Sequence, residues 1–260
     1  MNAANIVFVG AGNLATHLAK ALYRSGHRIL QIYSCTESSA RTLAEEVEAD
    51  YTTDLRKLLA NDVSLYVVSL TDAAFTELLP EMTTGREQAL WVHTAGSLSM
   101  NVWENRVKRY GALYPLQTFS KQREVDFCNV PFFIEAVYRE DTEYLKTIAG
   151  SLSPKIYEAD SEQRKCLHLA AVFACNFVNH LYALSADILE KYNLPFEWLV
   201  PLIDETARKI HELPPEYAQT GPAVRQDKNI MDKHQSMLAD QPEVQEIYRL
   251  LSENIRKNAY

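Results

Sequence analysis

The sequence predicts an α/β protein: a doubly wound, mostly parallel sheet followed by an all-α domain. Three observations carry this expectation. Short β-like runs alternate with helical runs as far as Glu158, the pattern of a parallel sheet covered by helices. The stretch NIVFVGAGNLATHLAKAL, from Asn5 to Leu22, passes from an apolar strand through two glycines into a helix. After Glu158 no β-like run recurs, and long helical patterns punctuated by prolines take over. Residues 1–157 are therefore expected to form the sheet domain, and residues 158–260 the helical one.

Each element has its own warrant. Ile6–Val9 is a continuous apolar run, as a strand covered on both faces should be. Leu14, Leu18, Ala21 and Leu22 recur at helical spacing, so Leu14–Ser25 reads as helix. The turn Ser25-Gly26-His27 leads to a second strand, Ile29–Ser34. Further strands are expected at Val63–Ser69, Ala89–His93, Ala112–Tyr114, Phe132–Glu135 and Lys155–Tyr157. Helical patterns fall between them at Glu37–Glu48, Asp54–Leu59, Asp72–Leu79 and Asp141–Leu152. The second domain reads as Ser161–Lys191, Phe196–Leu213, Asp227–Leu238 and Val244–Lys257, separated by Pro195, Pro214-Pro215, Pro222 and Pro242, with Pro201 inside the second pattern.

Bulk properties narrow the function. The 260 residues are 47% hydrophobic and 23% charged, a globular composition with room for a sizeable core. A net charge of −8, with no basic run or stripe, argues against a nucleic-acid partner. Cys35, Cys128, Cys166 and Cys175 show no CxxC spacing, so free thiols are expected rather than a disulfide frame or a metal site. No charged-then-apolar leader precedes the first strand, and a cytoplasmic protein is expected. Cys166–Ile188 is long enough to span a bilayer, but it carries His168, Asn176, Asn179, His180 and Asp187. That content predicts a buried helix of a soluble protein and no membrane partner.

The glycine turn is the first functional signal. In a strand–turn–helix unit one glycine makes the tight turn and the next lets the main chain approach a pyrophosphate. The free N–H groups of the helix start then face the anion. Gly10, Ala11, Gly12, Asn13 and Leu14 occupy this turn, with Ala15 as the small residue that lets helix and strand pack. An ordinary tight turn is the alternative, and the flanking strand, helix and second strand favour the dinucleotide. NAD enzymes usually place an acid at the tip of the second strand to hold the ribose hydroxyl. Here Ser34 and Thr36 stand there, with Arg41 close behind, which suits a 2′-phosphate. NADP is therefore expected ahead of NAD, with Glu37 the residue that argues the other way. Capping of the next helix is a second role open to Ser34 and Thr36.

Several segments, taken in order, resemble a known family: VGAGNLATHLAKAL, VVSLTDAAF, VHTAGSLS and GALYPLQTFS, then LHLAAVFACNFV and TGPAVRQD. The chain is similar over nearly its whole length to NADP oxidoreductases that join a Rossmann-type domain to a helical domain of the 6-phosphogluconate-dehydrogenase type. Pyrroline-5-carboxylate reductase and deazaflavin-dependent NADP reductases are more distant relatives. The resemblance implies fold and cofactor but not substrate. It also implies pairing of the helical domains as a homodimer, with the loop around Arg225 completing a cleft. Two positions depart from the family pattern: Leu70 replaces a proline, and Tyr114 replaces a histidine.

The remaining candidates follow from position. Ligands of such sheets bind beyond the carboxyl ends of the strands. Leu70 and Thr71, Thr94 and Ala95, and Tyr114 stand at those ends, where they are expected to line the cofactor and a small-molecule substrate. Thr71 and Thr94 could equally serve as caps or turn residues. On the long helix, Lys165, His168, Val172, Asn176 and Asn179 share one face by i, i+3, i+4 spacing. Imidazoles titrate near neutrality, so His168 is the candidate proton donor. Asn176 would orient the substrate and Arg225 would hold its anion, while Asn179 and His180 read as structural. An Arg225–Asp227 pair that merely anchors the loop is the alternative for Arg225. The expected activity is hydride transfer between NADP(H) and a small carbonyl or imine compound. A nucleotide-binding sensor without turnover is the alternative, because no Ser–His–Asp spacing, metal cluster or lysine–asparagine pair is evident. A methyltransferase comes third.

Overall fold

The structure is a computed structural model that describes residues 3–258. Eight strands form one sheet: β1 (Asn5–Val9), β2 (Arg28–Tyr33), β3 (Asp50–Thr52), β4 (Leu65–Val68), β5 (Leu90–His93), β6 (Arg109–Pro115), β7 (Phe132–Ala136) and β8 (Ile156–Glu158). Their order is β3-β2-β1-β4-β5-β6-β7-β8. Strands β3 through β6 of that order run parallel, and β7 pairs antiparallel to β6. The first six therefore have the Rossmann order, with its switch point between β1 and β4.

The pleat sends alternate residues to opposite faces and so builds two cores. Ile6, Phe8, Leu65, Val67, Leu90 and Val92 pack with Ala15, Leu18 and Leu22 of α1 (Asn13–Arg24), Leu43 of α2 (Glu37–Glu46) and Leu145 of α4 (Arg139–Gly150). Val7, Val9, Tyr66, Val68 and Trp91 pack on the other face with Phe75 and Met82 of α3 (Asp72–Thr83) and with Trp103. Every residue of β4 and β5 is buried, as a parallel strand covered on both faces requires.

Three local expectations change. Strand β3 was not expected, because Asp50-Tyr51-Thr52 is short and polar. Its register with Gln31–Tyr33 is set by the neighbouring strand. The Asp54–Leu59 helix is only a 3-10 turn, Leu55–Lys57, whose start is capped by the Asp54 carboxylate. Helix α3 continues past Pro80 to Thr83 because Leu79, Met82 and Thr83 are buried there.

By its contacts the chain divides into two compact units, 1–175 and 176–260. The sheet ends at Glu158, and α5 (Ser161–Ala171) closes the first unit, followed by a π-helical segment, Val172–Phe177. The π turn departs from α-helical spacing, so the single face expected from Lys165 to Asn179 is interrupted at Val172. The second unit holds α6 (Val178–Glu190), α7 (Val200–Lys209), α8 (Pro215–Ala218), α9 (Lys228–Met237) and α10 (Pro242–Asn258). Asp227 caps α9 by accepting from the Ile230 N–H at 3.2 Å, and the His234 ring meets the Tyr248 hydroxyl of α10 at 2.9 Å.

The expectation that the long apolar helix is buried is corrected. Leu169, Phe173 and Phe177 are 59%, 63% and 50% exposed. Apolar residues on all sides predict that a helix is covered, and in this structure these three side chains are at least half exposed.

Candidate active site

The glycine turn is built by two different demands. Gly10 donates its N–H to the Tyr33 carbonyl at 2.8 Å and has φ +120°. A Cβ at Gly10 would lie 2.1 Å from the Ser69 carbonyl oxygen, so the tips of β1 and β4 meet only because this residue has none. Gly12 is another case. Its φ is −75°, and nothing lies within 4 Å of the position a Cβ would take. Neither backbone nor neighbours require glycine there. A dinucleotide whose pyrophosphate approaches the main chain does. Gly12 is also the N-cap of α1, with no side-chain cap and no acid in the first turn. The orphan N–H groups and dipole of that turn are left for an anion. These features fit NADP. Ala11 is buried and Leu14 packs on the core, while the Asn13 amide donates to the Phe119 carbonyl at 3.0 Å.

At the tip of β2, Thr36 is the N-cap of α2, but its hydroxyl makes no cap bond. The Thr36 N–H donates to Ser34 Oγ at 3.3 Å. The Arg41 guanidinium is already engaged, at 2.5 Å from Glu37 and 3.1 Å from the Tyr51 hydroxyl. At the tip of β4, Leu70 packs beside Gly10, and Thr71 caps α3 by accepting from the Ala74 N–H at 3.4 Å. At the tip of β5, Thr94 is buried with its N–H on the Val68 carbonyl at 3.1 Å. The Ala95 N–H donates to His93 Nδ1 at 3.3 Å. Burial, with the Arg164 charge nearby, pushes the His93 ring down to about 3.

The tip of β6 meets α5. The Tyr114 hydroxyl lies 3.2 Å from His168 Nδ1, and the two rings are edge to face. Gly96 fits beneath them: a Cβ there would come 2.8 Å from both His168 Cβ and Tyr114 Cζ. Tyr114 is buried, and burial raises its phenol pKa despite the opposing Arg164 charge. It therefore stays protonated near neutrality. His168 is exposed to solvent at the end of the pair.

Sequence reasoning missed the support under this pair. Arg164, one turn before His168, is fully buried. Its guanidinium donates to Glu135 at 2.7 Å, to the Leu98 carbonyl at 2.7 Å and to the Ala95 carbonyl at 3.3 Å. Ser161 adds a 2.7 Å bond to the same Glu135 oxygen. Of the other candidates, Asn176 and Arg225 belong to the second unit and are exposed. Asp227, the candidate partner of Arg225, spends its carboxylate on the cap of α9.

Comparisons with known proteins agree with this geometry. Residues 5–95 match the family model described as NADP oxidoreductase, coenzyme F420-dependent, and residues 130–255 match a domain of unknown function, DUF2520. No curated protein matches the chain. The crystal structure of a "putative NADP oxidoreductase" from Bacteroides fragilis is 62% identical, covers 98% of each chain and has a TM-score of 0.95. A reductive aminase from Aspergillus terreus, solved with NADPH and ethyl-5-oxohexanoate, is 13% identical with a TM-score of 0.74, over 99% of this chain and 95% of that one. A 1-pyrroline-5-carboxylate reductase from Streptococcus pyogenes is 14% identical with a TM-score of 0.67, over 99% of this chain and all of the other (100%). The last two share the fold. The glycine turn, the strand-tip site and the whole-length identity to the Bacteroides fragilis protein together place the chain in that family of NADP oxidoreductases.

Proposed function

We propose that the chain transfers a hydride between NADP(H) and a small carbonyl or imine compound, with His168 moving the accompanying proton. The observation that carries the reading is the Tyr114–His168 contact at the strand tips. Bound NADPH supplies the hydride. Reduction of a carbonyl or imine carbon leaves charge on the oxygen or nitrogen, and a positioned imidazole meets it with a proton. The Tyr114 hydroxyl holds Nδ1, which directs Nε2 outward from the pair. Because a phenol both donates and accepts, it keeps the ring oriented in either protonation state. Thr71, Thr94 and Ala95 would flank the nicotinamide end, and Ser34, Thr36 and Arg41 the 2′-phosphate. The aminase and pyrroline-5-carboxylate reductase likenesses support a carbonyl or imine substrate only through their shared fold. Turnover of keto acids and cyclic imines with NADPH, compared between wild type and His168→Ala, tests the proposal. Retained turnover without His168 would overturn its role.

The same reading includes a homodimer formed through the helical unit. Its support is exposed apolar surface: Trp198, Leu202 and Ile210 are 69%, 62% and 56% exposed. Surface of this kind marks a protein interface more often than open solvent.

A further inference from the structure

Arg164 is a fully buried charge with four hydrogen-bonded partners, and the proposed reaction does not use it. Arg164 has no solvent exposure. It faces the Glu135 carboxylate on β7, the Ser161 hydroxyl and two main-chain carbonyls, those of Ala95 and Leu98. Those carbonyls bracket Gly96, the residue on which both Tyr114 and His168 rest. Ser161, held by Glu135, in turn accepts from the Met100 N–H at 2.9 Å. His93 holds the same segment from the other side through the Ala95 N–H. The main-chain N–H and C=O of Ala95 are thus both bonded to buried side chains.

A buried charge costs stability unless it is paired and fully bonded. An apolar residue would fill this volume without that cost. What the guanidinium adds is geometry, since its planar fork holds several acceptors at fixed angles. Arg164 and His168 are four residues apart on α5, on one helix face. One end of that face fixes the 94–98 segment, and the other carries the imidazole that this segment supports.

We propose that Arg164 is a positioning residue: bonded to Glu135, Ala95 and Leu98, it sets the 94–98 segment so that Gly96 holds His168 against the Tyr114 hydroxyl. The proposal rests on the reading of Tyr114 and His168 given above, but its test does not need turnover. Ring nitrogen signals of His168 are recorded by NMR in nitrogen-15-labelled protein and assigned by their loss in His168→Asn. Tyr114→Phe marks the position of a ring without its phenol partner. Arg164→Lys, which keeps the charge and loses the fork, should move the His168 signals toward that position. Glu135→Gln, which leaves Arg164 in place with a neutral partner, should move them the same way by a smaller amount. Unmoved His168 signals in either folded variant would overturn the proposal. A protein without oxidoreductase turnover would still give these signals, so the two readings fail separately.

Discussion

The Arg41 guanidinium is held by the Glu37 carboxylate one turn earlier on α2, at 2.5 Å, and by the Tyr51 hydroxyl of β3 at 3.1 Å. The cation proposed to meet a 2′-phosphate therefore already has a carboxylate partner, and the pair is solvent-exposed and weak. The Thr36 hydroxyl beside it is not spent on a cap.

Cofactor preference should follow this arrangement. A charge-assisted bond contributes about 1.5–3 kcal/mol, so one Arg–phosphate contact predicts roughly ten- to hundredfold tighter binding of NADPH than NADH. Glu37→Gln should widen that ratio by releasing Arg41. Arg41→Ala should narrow it, and Ser34→Asp should reverse it by setting a carboxylate against the phosphate. Dissociation constants for both cofactors by fluorescence titration decide. Equal affinities in wild type, or a ratio unchanged in Arg41→Ala, would contradict the assignment.

The two glycines of the turn should separate folding from binding. Gly10→Ala places a methyl group 2.1 Å from the Ser69 carbonyl at a residue with φ +120°, and should cost at least about 2 kcal/mol of stability. Gly12→Ala meets nothing within 4 Å, and should leave the melting temperature nearly unchanged while weakening NADPH binding at least about tenfold. Thermal melts and NADPH titrations of the two variants give the comparison. A Gly12→Ala protein that binds NADPH as well as wild type would remove the pyrophosphate from this turn.

These two residues also show what a sequence can say. The strand–glycine–helix run is local, so the turn, the parallel sheet and the helical second half were legible from spacing and composition. Strand β3 was not, because Asp50–Thr52 has neither length nor alternation of its own and exists by pairing with β2. Arg164 was not legible for the same kind of reason. Its partners Glu135, Ala95 and Leu98 lie 29, 69 and 66 residues away, and one arginine in a helix gives no local sign of burial. The helix of Phe173 and Phe177 was read as buried from its composition, which does not fix how much of each side chain stays exposed.

Acid should destabilise the protein through His93. Burial holds its ring at about 3, against about 6.5 in an unfolded chain. Between these values the unfolded state binds a proton that the native state refuses, so stability falls as pH falls through that window. The slope contributed by this group is up to ~1.4 kcal/mol per pH unit, and it vanishes above the unfolded value. Denaturant midpoints between about pH 7 and pH 5 isolate it from most carboxylates, which titrate lower. His93→Asn should flatten the curve there, and an unchanged slope would show that His93 is not the group responsible.

The proposed homodimer predicts a sedimentation coefficient for two chains at micromolar concentration. Leu202→Glu puts a charge on this exposed apolar surface of the second unit and should shift the protein toward a monomer. Tyr114→Phe, on the first unit, should leave the assembly state unchanged. A wild-type protein that sediments as a monomer at all concentrations would contradict the dimer.

The most direct measurement is steady-state oxidation of NADPH, followed by its absorbance, across keto acids and cyclic imines with wild type and His168→Ala. The account predicts turnover of at least one such compound, and a kcat about 10²–10⁴-fold lower without the imidazole, with the NADPH dissociation constant unchanged. NADPH that binds but is never oxidised would contradict it and leave a nucleotide-binding sensor. Full activity in His168→Ala would contradict the role given to the Tyr114–His168 pair.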